Sequence, residues 1–351
     1  MAKPDTFFGV FRVVGSNTLP GRLCSESYEK VSLLHGVTVW FARATGMAYG
    51  SRRDYRSCWA YETMTRVAQE AEALGYDSIW LFDHFHTVPV PTQEVTFECW
   101  TSTAALARDT KRVRIGQLVT CNGYRNPALM AKMASTVDVL SHGRLDFGIG
   151  AGWYEHEYRA YGYGFPDAPE RLRYLREAVQ VILAMWTQEE AVFEGKYYHV
   201  NGAINQPKGV QKPHIPLLIG GAGEQVTLKL VAQYADACNI GHLDNEGLAR
   251  KFSILKKHCE DIGRDYNSIK RTALYNCAIA ETDEEAMAKS GPYTRNIPAE
   301  RIRERTLVGT PETIRRRLKE VEQAGAQEVI IFLQDSKDLK SVRMFAQECM
   351  R

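Results

Sequence analysis

The sequence predicts an α/β protein, a single (β/α)8 barrel with insertions after the fourth and seventh strands. Three observations predict it. Past residue 35, strand-like and helix-like segments alternate eight times; several strands are apolar at nearly every position; and no shift of composition marks an internal boundary. Strands apolar throughout belong where both faces of a parallel sheet are covered. A doubly wound sheet can be built from the same alternation, but eight units in one unbroken chain of 351 residues favour the barrel. The expected organisation is an N-terminal extension over 1–35 and a barrel domain over 36–351.

The elements follow in order. "GVTVWF" (Gly36–Phe41) is the first strand, and a helix over Ala60–Leu74 stops at Gly75. "DSIWLFDHF" is the second strand and "FECWTSTAALARD" its helix. "RVRIGQLVT" is the third; its helix "NPALMAKMASTVDVL" has Asn126 as cap and Pro127 in the first turn, which needs no N–H there. "GRLDFGIGAG" is the fourth, followed by a helix over Ala168–Trp186. "IPLLIGGAG" precedes helical "EQVTLKLVAQYA", "DACNIG" precedes Leu248–Ile262, and "RTALYNCAIA" is the seventh strand. Thr310 before Pro311 starts the helix of "TPETIRRRLKEVEQAG", Gly325 stops it, and "AQEVIIFLQD" closes the series. Two segments exceed the bare barrel. Thr187–His214 reads as an inserted hairpin and loop, and Glu281–Val308 as a lid or excursion.

Bulk properties exclude several function classes. A net charge of +2 gives no strong attraction to nucleic acid or anionic lipid. No apolar run approaches the roughly 20 residues that span a bilayer. The early "FFGVFRVV" is short and broken by Arg12, a poor signal peptide. Eight cysteines are scattered without a C-x-x-C, which favours reduced thiols and a cytoplasmic protein.

Four clusters carry the candidate chemistry, all at strand ends, where barrels of this kind place their sites. Gly148, Gly150 and Gly152 form G-x-G-x-G; a dinucleotide fingerprint would need its third glycine where Trp153 stands. Strand parity turns Leu145, Phe147 and Ile149 toward the outer helices and Gly148 and Gly150 toward the axis. Two readings stay open: a flat ligand against bare backbone at Gly150, Ala151 and Gly152, or a barrel pinched to fit facing side chains. Gly220, Gly221, Ala222 and Gly223 end the next strand and open a helix, an arrangement that favours a phosphate, with Glu224 as the discordant charge.

Asp83 and His84 end the second strand. Histidine suits proton transfer near neutral pH, and an adjacent carboxylate can orient it. Its rival reading is a metal site built from His84, His86, His242 and Asp335. Thr120, Cys121, Asn122, Arg125 and Asn126 end the third strand; nothing local marks Cys121 as activated, so it reads as a lining residue. No lysine lies inside any strand, which argues against a Schiff base. Trp153, Tyr154, His156, Glu157 and Tyr158 either wall a planar ligand or pack a helix.

Taken together, "DSIWLFDHF", "RIGQLVTCNGYRNPALMAKMASTVDVLSHGRLDFGIGAGWYEHEYRAYG", "PLLIGGAGE" and the late "GTPE" resemble the bacterial luciferase-like superfamily, most closely its F420-dependent oxidoreductase branch. The resemblance runs over about Gly36–Asp335 and implies a (β/α)8 barrel holding FMN or the deazaflavin F420 at the strand ends, commonly as a homodimer. It implies that Asp83 and His84 lie beside the ring, with His84 the proton donor or acceptor paired with hydride transfer. It sets Thr120 and Cys121 at a strand-end bulge with a non-prolyl cis peptide. Ala151, Gly152 and Tyr154 would contact the cofactor, and Gly221, Ala222 and Gly223 its phosphate. The implied function is hydride transfer between F420 and a small organic substrate, with reduced-FMN monooxygenation as the alternative and metal-dependent hydrolysis a more distant one. No residue separates F420 from FMN, although Arg125, Arg159, Lys208 and Lys212 are cations for an acidic cofactor tail. The first 35 residues and the long Ala42–Tyr61 segment depart from the family pattern. Trp40, the segment after it and Glu281–Val308 are expected to meet the substrate.

Overall fold

The computed structural model describes residues 37–41, 56–290, 294, 298–333 and 339–350. The N-terminal extension, most of Ala42–Tyr61, the Trp40 side chain and Asp335 lie outside the described residues. Eight parallel strands close on themselves: β1 (Val37–Phe41), β2 (Ser78–Leu81), β3 (Arg114–Gln117), β4 (Leu145–Gly150), β5 (Leu217–Gly220), β6 (Ala237–Gly241), β7 (Lys270–Ile279) and β8 (Glu328–Leu333). Each pairs with the next in sequence, from Thr38 against Ser78 through Leu218 against Ala237 to Ala273 against Val329. β8 returns to β1 with Val329 opposite Val37, so the eight barrel strands leave no open edge among themselves.

The helices are α1 (Arg56–Leu74), α2 (Cys99–Asp109), α3 (Pro127–Leu140), α4 (Glu155–Ala160), α5 (Ala168–Thr187), α6 (Thr227–Tyr234), α7 (Asn245–Asp261), α8 (Asp283–Lys289), α9 (Ala299–Arg305), α10 (Pro311–Gln323) and α11 (Lys340–Cys349). Local chemistry sets their ends. The Asn126 side chain accepts from the Ala128 N–H and Thr310 from that of Thr313. At the far end of α1, Gly75 turns with φ +88°. Between α5 and β5, Glu190–Glu194 and His199–Ile204 form an antiparallel hairpin. After β7, α8 and α9 lead to a short strand, Leu307–Gly309, that pairs with the end of β7. Ala286 and Ile302 there share an apolar cluster with Ala278, Ala280 and Val308, so the described part of this segment is packed.

Two cores follow from strand alternation. Leu145, Phe147 and Ile149 face outward into the layer between strands and helices, all three at 0 % exposure. Trp80, Leu118, Leu218, Ala237, Leu274 and Ile330 fill the barrel interior with Val119 above them. Gly116 makes room for the Trp80 ring, which a Cβ there would meet at 2.6 Å. No described helix is long and apolar enough to cross a membrane.

Candidate active site at the carboxyl ends of the strands

His84 follows β2 and is held by a residue far away in sequence. Its Nδ1 lies 2.7 Å from Oε2 of Glu157, in the first turn of α4, and the Tyr124 hydroxyl donates to the same oxygen at 2.8 Å. The other oxygen, Oε1, accepts from the backbone N–H of Phe85 at 2.6 Å and of His86 at 3.3 Å. Burial of Glu157 works to raise its pKa, but His84, Tyr124 and the Phe85 N–H overcome it and hold the carboxyl below its ordinary value. A carboxylate facing donors on both oxygens fixes the proton of neutral His84 on Nδ1 and leaves Nε2 as the free base. Glu155, two residues earlier, pairs with Arg159 in solvent. In "WYEHEY" the two glutamates look alike; only the fold separates them.

Asp83 does something else. The carboxylate next to His84 in sequence is engaged elsewhere. It receives Arg125 on both oxygens at 2.6 and 2.9 Å and the Cys121 N–H at 2.9 Å. Arg125 also pairs with Glu98, the cap of α2. Burial pushes the Asp83 carboxyl up, and the two Arg125 contacts and the Cys121 N–H oppose that. The orienting role expected of Asp83 therefore falls to Glu157, and Asp83 ties the end of the third strand to the second.

That third strand end explains most of the glycines. A non-prolyl cis peptide joins Leu118 to Val119, just before the two-residue strand Thr120–Cys121 resumes pairing with Ile149 and Gly150. The Val119 side chain points over β4 and β5. A Cβ on Gly150 would lie 2.8 Å from Val119 Cγ2, and one on Gly220 2.8 Å from Val119 Cγ1. At Gly148 a Cβ would sit 1.9 Å from the Gln117 carbonyl oxygen. The pinched-barrel reading thus accounts for Gly148, Gly150 and Gly220, and it is the bulged backbone that does the pinching. Gly152 differs: its φ is +79°, and a Cβ there would meet Tyr158 Oη at 2.2 Å and Cys121 Sγ at 2.7 Å. Cys121 contacts Tyr158 Oη at 3.0 Å, and burial pushes its thiol up to about 12, the opposite of an activated thiolate. Thr120 is fully buried, and its hydroxyl has no partner among the described residues.

The second glycine cluster departs from expectation in one respect. α6 begins at Thr227, not directly after Gly223, because Glu224–Val226 form an intervening turn. The helix dipole acts over about one turn, so its contribution at Gly221–Gly223 is reduced. What remains is an exposed backbone turn with Gly221 at φ +130°, its N–H bonded to the Asn239 carbonyl at 3.0 Å. Thr227, which the sequence reading missed, points into it: a Cβ on Gly223 would lie 2.9 Å from Thr227 Oγ1. Glu224, the discordant charge, is drawn off by Lys251 at 2.7 Å and Arg250 at 3.2 Å.

Aromatic rings surround His84. Phe82 lies 5.1 Å from it, Trp153 5.8 Å and Tyr154 6.0 Å, the last two edge-on. Tyr154 Oη donates to the Pro89 carbonyl. The rival metal set is not assembled among the described residues: His84 is committed to Glu157, and His86 bonds the Thr87 carbonyl and His156 at 3.1 Å each. His242 follows β6, four strands round the ring, and no group of three or more metal-binding side chains occurs among the described residues. Of the cations considered for a cofactor tail, Arg125 and Arg159 are engaged with carboxylates and Lys208 with the Met185 carbonyl.

Comparison with known proteins gives a consistent picture. Residues 37–297 match the family described as luciferase-like monooxygenase. An F420-dependent glucose-6-phosphate dehydrogenase of Kineococcus radiotolerans is 31% identical over 231 residues, 63% of this chain and 65% of that protein. The chain thus spans just under two thirds of that relative's length. An FMNH(2)-dependent dimethylsulfone monooxygenase of Pseudomonas putida is 24% identical over 74% of both chains. Among solved structures, an F420-dependent secondary alcohol dehydrogenase in complex with an F420-acetone adduct superposes with a TM-score of 0.76 at 20% identity, covering 90% of this chain and 98% of that one. At that identity the likeness concerns the fold.

Proposed function

The chain belongs to the luciferase-like monooxygenase family, and on that premise we propose that it is an oxidoreductase transferring a hydride between F420 and a small organic substrate. The observation that carries this is the His84–Glu157 pair at the barrel mouth, an imidazole held at Nδ1 by a buried carboxylate beside an exposed aromatic wall.

The residues present fit a ring carrying a phosphate. With the Gly221 N–H already bonded to Asn239, the turn offers the backbone N–H groups of Ala222 and Gly223 and the Thr227 hydroxyl, with Glu224 neutralised by its own partners. Val119 makes an apolar floor, and the buried Thr120 hydroxyl is a free hydrogen-bonding group beside it. Ala151, Gly152, Tyr154 and Cys121 would line the ring. When bound, F420 supplies the carbon that accepts or returns the hydride. His84 Nε2 takes the proton of the substrate hydroxyl as the carbinol carbon is oxidised, and returns it to the carbonyl oxygen in the reverse direction. Glu157 stabilises the imidazolium formed meanwhile, and Asp83 with Arg125 keeps the two strand ends in register.

A second reading, a reduced-FMN monooxygenase, is favoured by the Pseudomonas putida relative, whose alignment covers 74% of this chain. Both rings fit one pocket, so the test is a titration of purified protein with F420 and FMN, oxidised and reduced. Tight F420 binding with negligible FMN affinity supports hydride transfer; a preference for reduced FMN with oxygen uptake supports the monooxygenase. We place the protein in the cytoplasm as a homodimer: the eight cysteines are scattered without a C-x-x-C, and the dimer rests on family resemblance.

A further inference from the structure

We infer that a second ligand site lies in the cavity between the turn after the third strand and the start of α5, and that it takes an aryl carboxylate whose ring carries a hydrogen-bond donor. The cavity holds about 290 Å³, near the lower end of the range for small-molecule pockets. His84, Trp153 and the Gly221–Gly223 turn do not line it, and of the residues assigned to the ring only Ala151 borders it. Tyr124 stands between the two sites: it lines the cavity, and its hydroxyl donates to Glu157 Oε2. The inference does not depend on the hydride-transfer reading.

Three features set the chemistry of the ligand. The first is a buried acceptor. Asn122 lines the cavity at 2% exposure; its Nδ2 donates to the Tyr198 hydroxyl at 3.3 Å, while its Oδ1 has no partner among the described residues. A buried polar atom left unpaired is costly, so the site calls for a donor. The second is a cation. Arg171, in the first turn of α5, donates through Nε to the Gly152 carbonyl at 3.1 Å and through Nη1 to that of Pro166, and its guanidinium lies 4.1 Å over the Phe165 ring. Neither bond uses Nη2, and Arg171 has no carboxylate partner among the described residues. The lining contains no Asp or Glu, and its other cation, Arg125, is neutralised by Asp83 and Glu98. One uncommitted guanidinium edge suits one carboxylate, whereas a phosphate dianion calls for more charge. The third feature is shape. Tyr158, Tyr163, Tyr174 and Tyr198 supply flat apolar faces between these two polar groups, as a single aromatic ring requires.

Gly164 borders the cavity, and a Cβ there meets nothing within 4 Å, so a side chain can be added at the rim with the fold intact. Equilibrium dialysis of the full-length protein with labelled 4-hydroxybenzoate should show one saturable site. Benzoate, which lacks the ring hydroxyl, and phenol, which lacks the carboxylate, should each bind about tenfold more weakly or worse. Arg171→Met and Gly164→Phe should each weaken 4-hydroxybenzoate by about tenfold or more, with the urea midpoint of Gly164→Phe at the wild-type value. His84→Ala and saturating F420 should leave the binding unchanged. Absence of saturable binding, or equal binding by wild type and Gly164→Phe, overturns the inference. Loss of binding in His84→Ala, or displacement by F420, also overturns it, because either puts the ligand in the strand-end site.

Discussion

His84 Nδ1 and Glu157 Oε2 lie 2.7 Å apart across 73 residues of sequence, and the glutamate has no solvent exposure. That pairing joins the end of β2 to the first turn of α4, and it decides which nitrogen of His84 faces the barrel mouth. Every proton step proposed for this protein depends on it.

Glu157→Gln should lower kcat with little change in KM. A charge-assisted hydrogen bond contributes about 1.5–3 kcal/mol, which corresponds to roughly one to two orders of magnitude in rate. The variant should also shift the pH profile, because the imidazolium loses its counter-charge. An unchanged kcat and pH profile in steady-state assays would remove Glu157 from the mechanism.

Stability should fall in acid through the same residue. The folded carboxyl titrates below its ordinary 4.5, so its contribution is fully present above 4.5 and is lost as pH drops through the folded value. Urea midpoints measured from pH 7 down to pH 3 should therefore converge for wild type and Glu157→Gln as the pH falls below 4.5.

Asp83→Asn should cost stability more than chemistry. Removing one member of a buried pair leaves Arg125 partly unpaired, at a cost of about 3–5 kcal/mol. Chemical denaturation reads this directly, and adding Arg125→Met should recover part of the loss. A proton-transfer defect in folded Asp83→Asn as large as that of Glu157→Gln would contradict the division of roles drawn between the two carboxylates.

The glycines of β4 make a paired prediction. Gly150→Ala meets the Val119 side chain, whereas Gly148→Ala meets the Gln117 backbone carbonyl. Overpacking of this kind costs about 1–3 kcal/mol. Val119→Ala should rescue Gly150→Ala and leave Gly148→Ala unrescued, as a double-mutant cycle on thermal or urea unfolding would show.

Cys121 should resist alkylation. With its thiol pushed up to about 12, the thiolate fraction near pH 7.5 is on the order of 3 in 10⁵. Mass spectrometry after iodoacetamide treatment of native protein should find Cys121 unmodified, and Cys121→Ser should keep most of the activity.

Much of the fold was legible because it is written in short windows. The apolar runs at Ile79–Leu81, Leu217–Ile219 and Val329–Leu333 mark strands covered on both faces, and Asn126–Pro127 and Thr310–Pro311 mark helix starts by chemistry confined to one turn. The start of α6 was misplaced because "EQV" has helix-compatible residues, yet the chain uses them to carry Glu224 to Lys251 and Arg250 on α7. That choice depends on a neighbouring helix which no local window contains.

The site divides along the same line. By itself the sequence determined that the chain folds as a barrel, that His84 falls at a strand end, and that glycines cluster where β4 and β5 finish. Only the tertiary structure decided that Glu157 and not Asp83 serves His84, that Val119 is what Gly150 and Gly220 accommodate, and that Thr227 enters the second glycine turn. The physical reason is range: periodicity and capping act over a few residues, whereas a hydrogen bond or a steric contact between loops exists only once ring closure has brought the strand ends together.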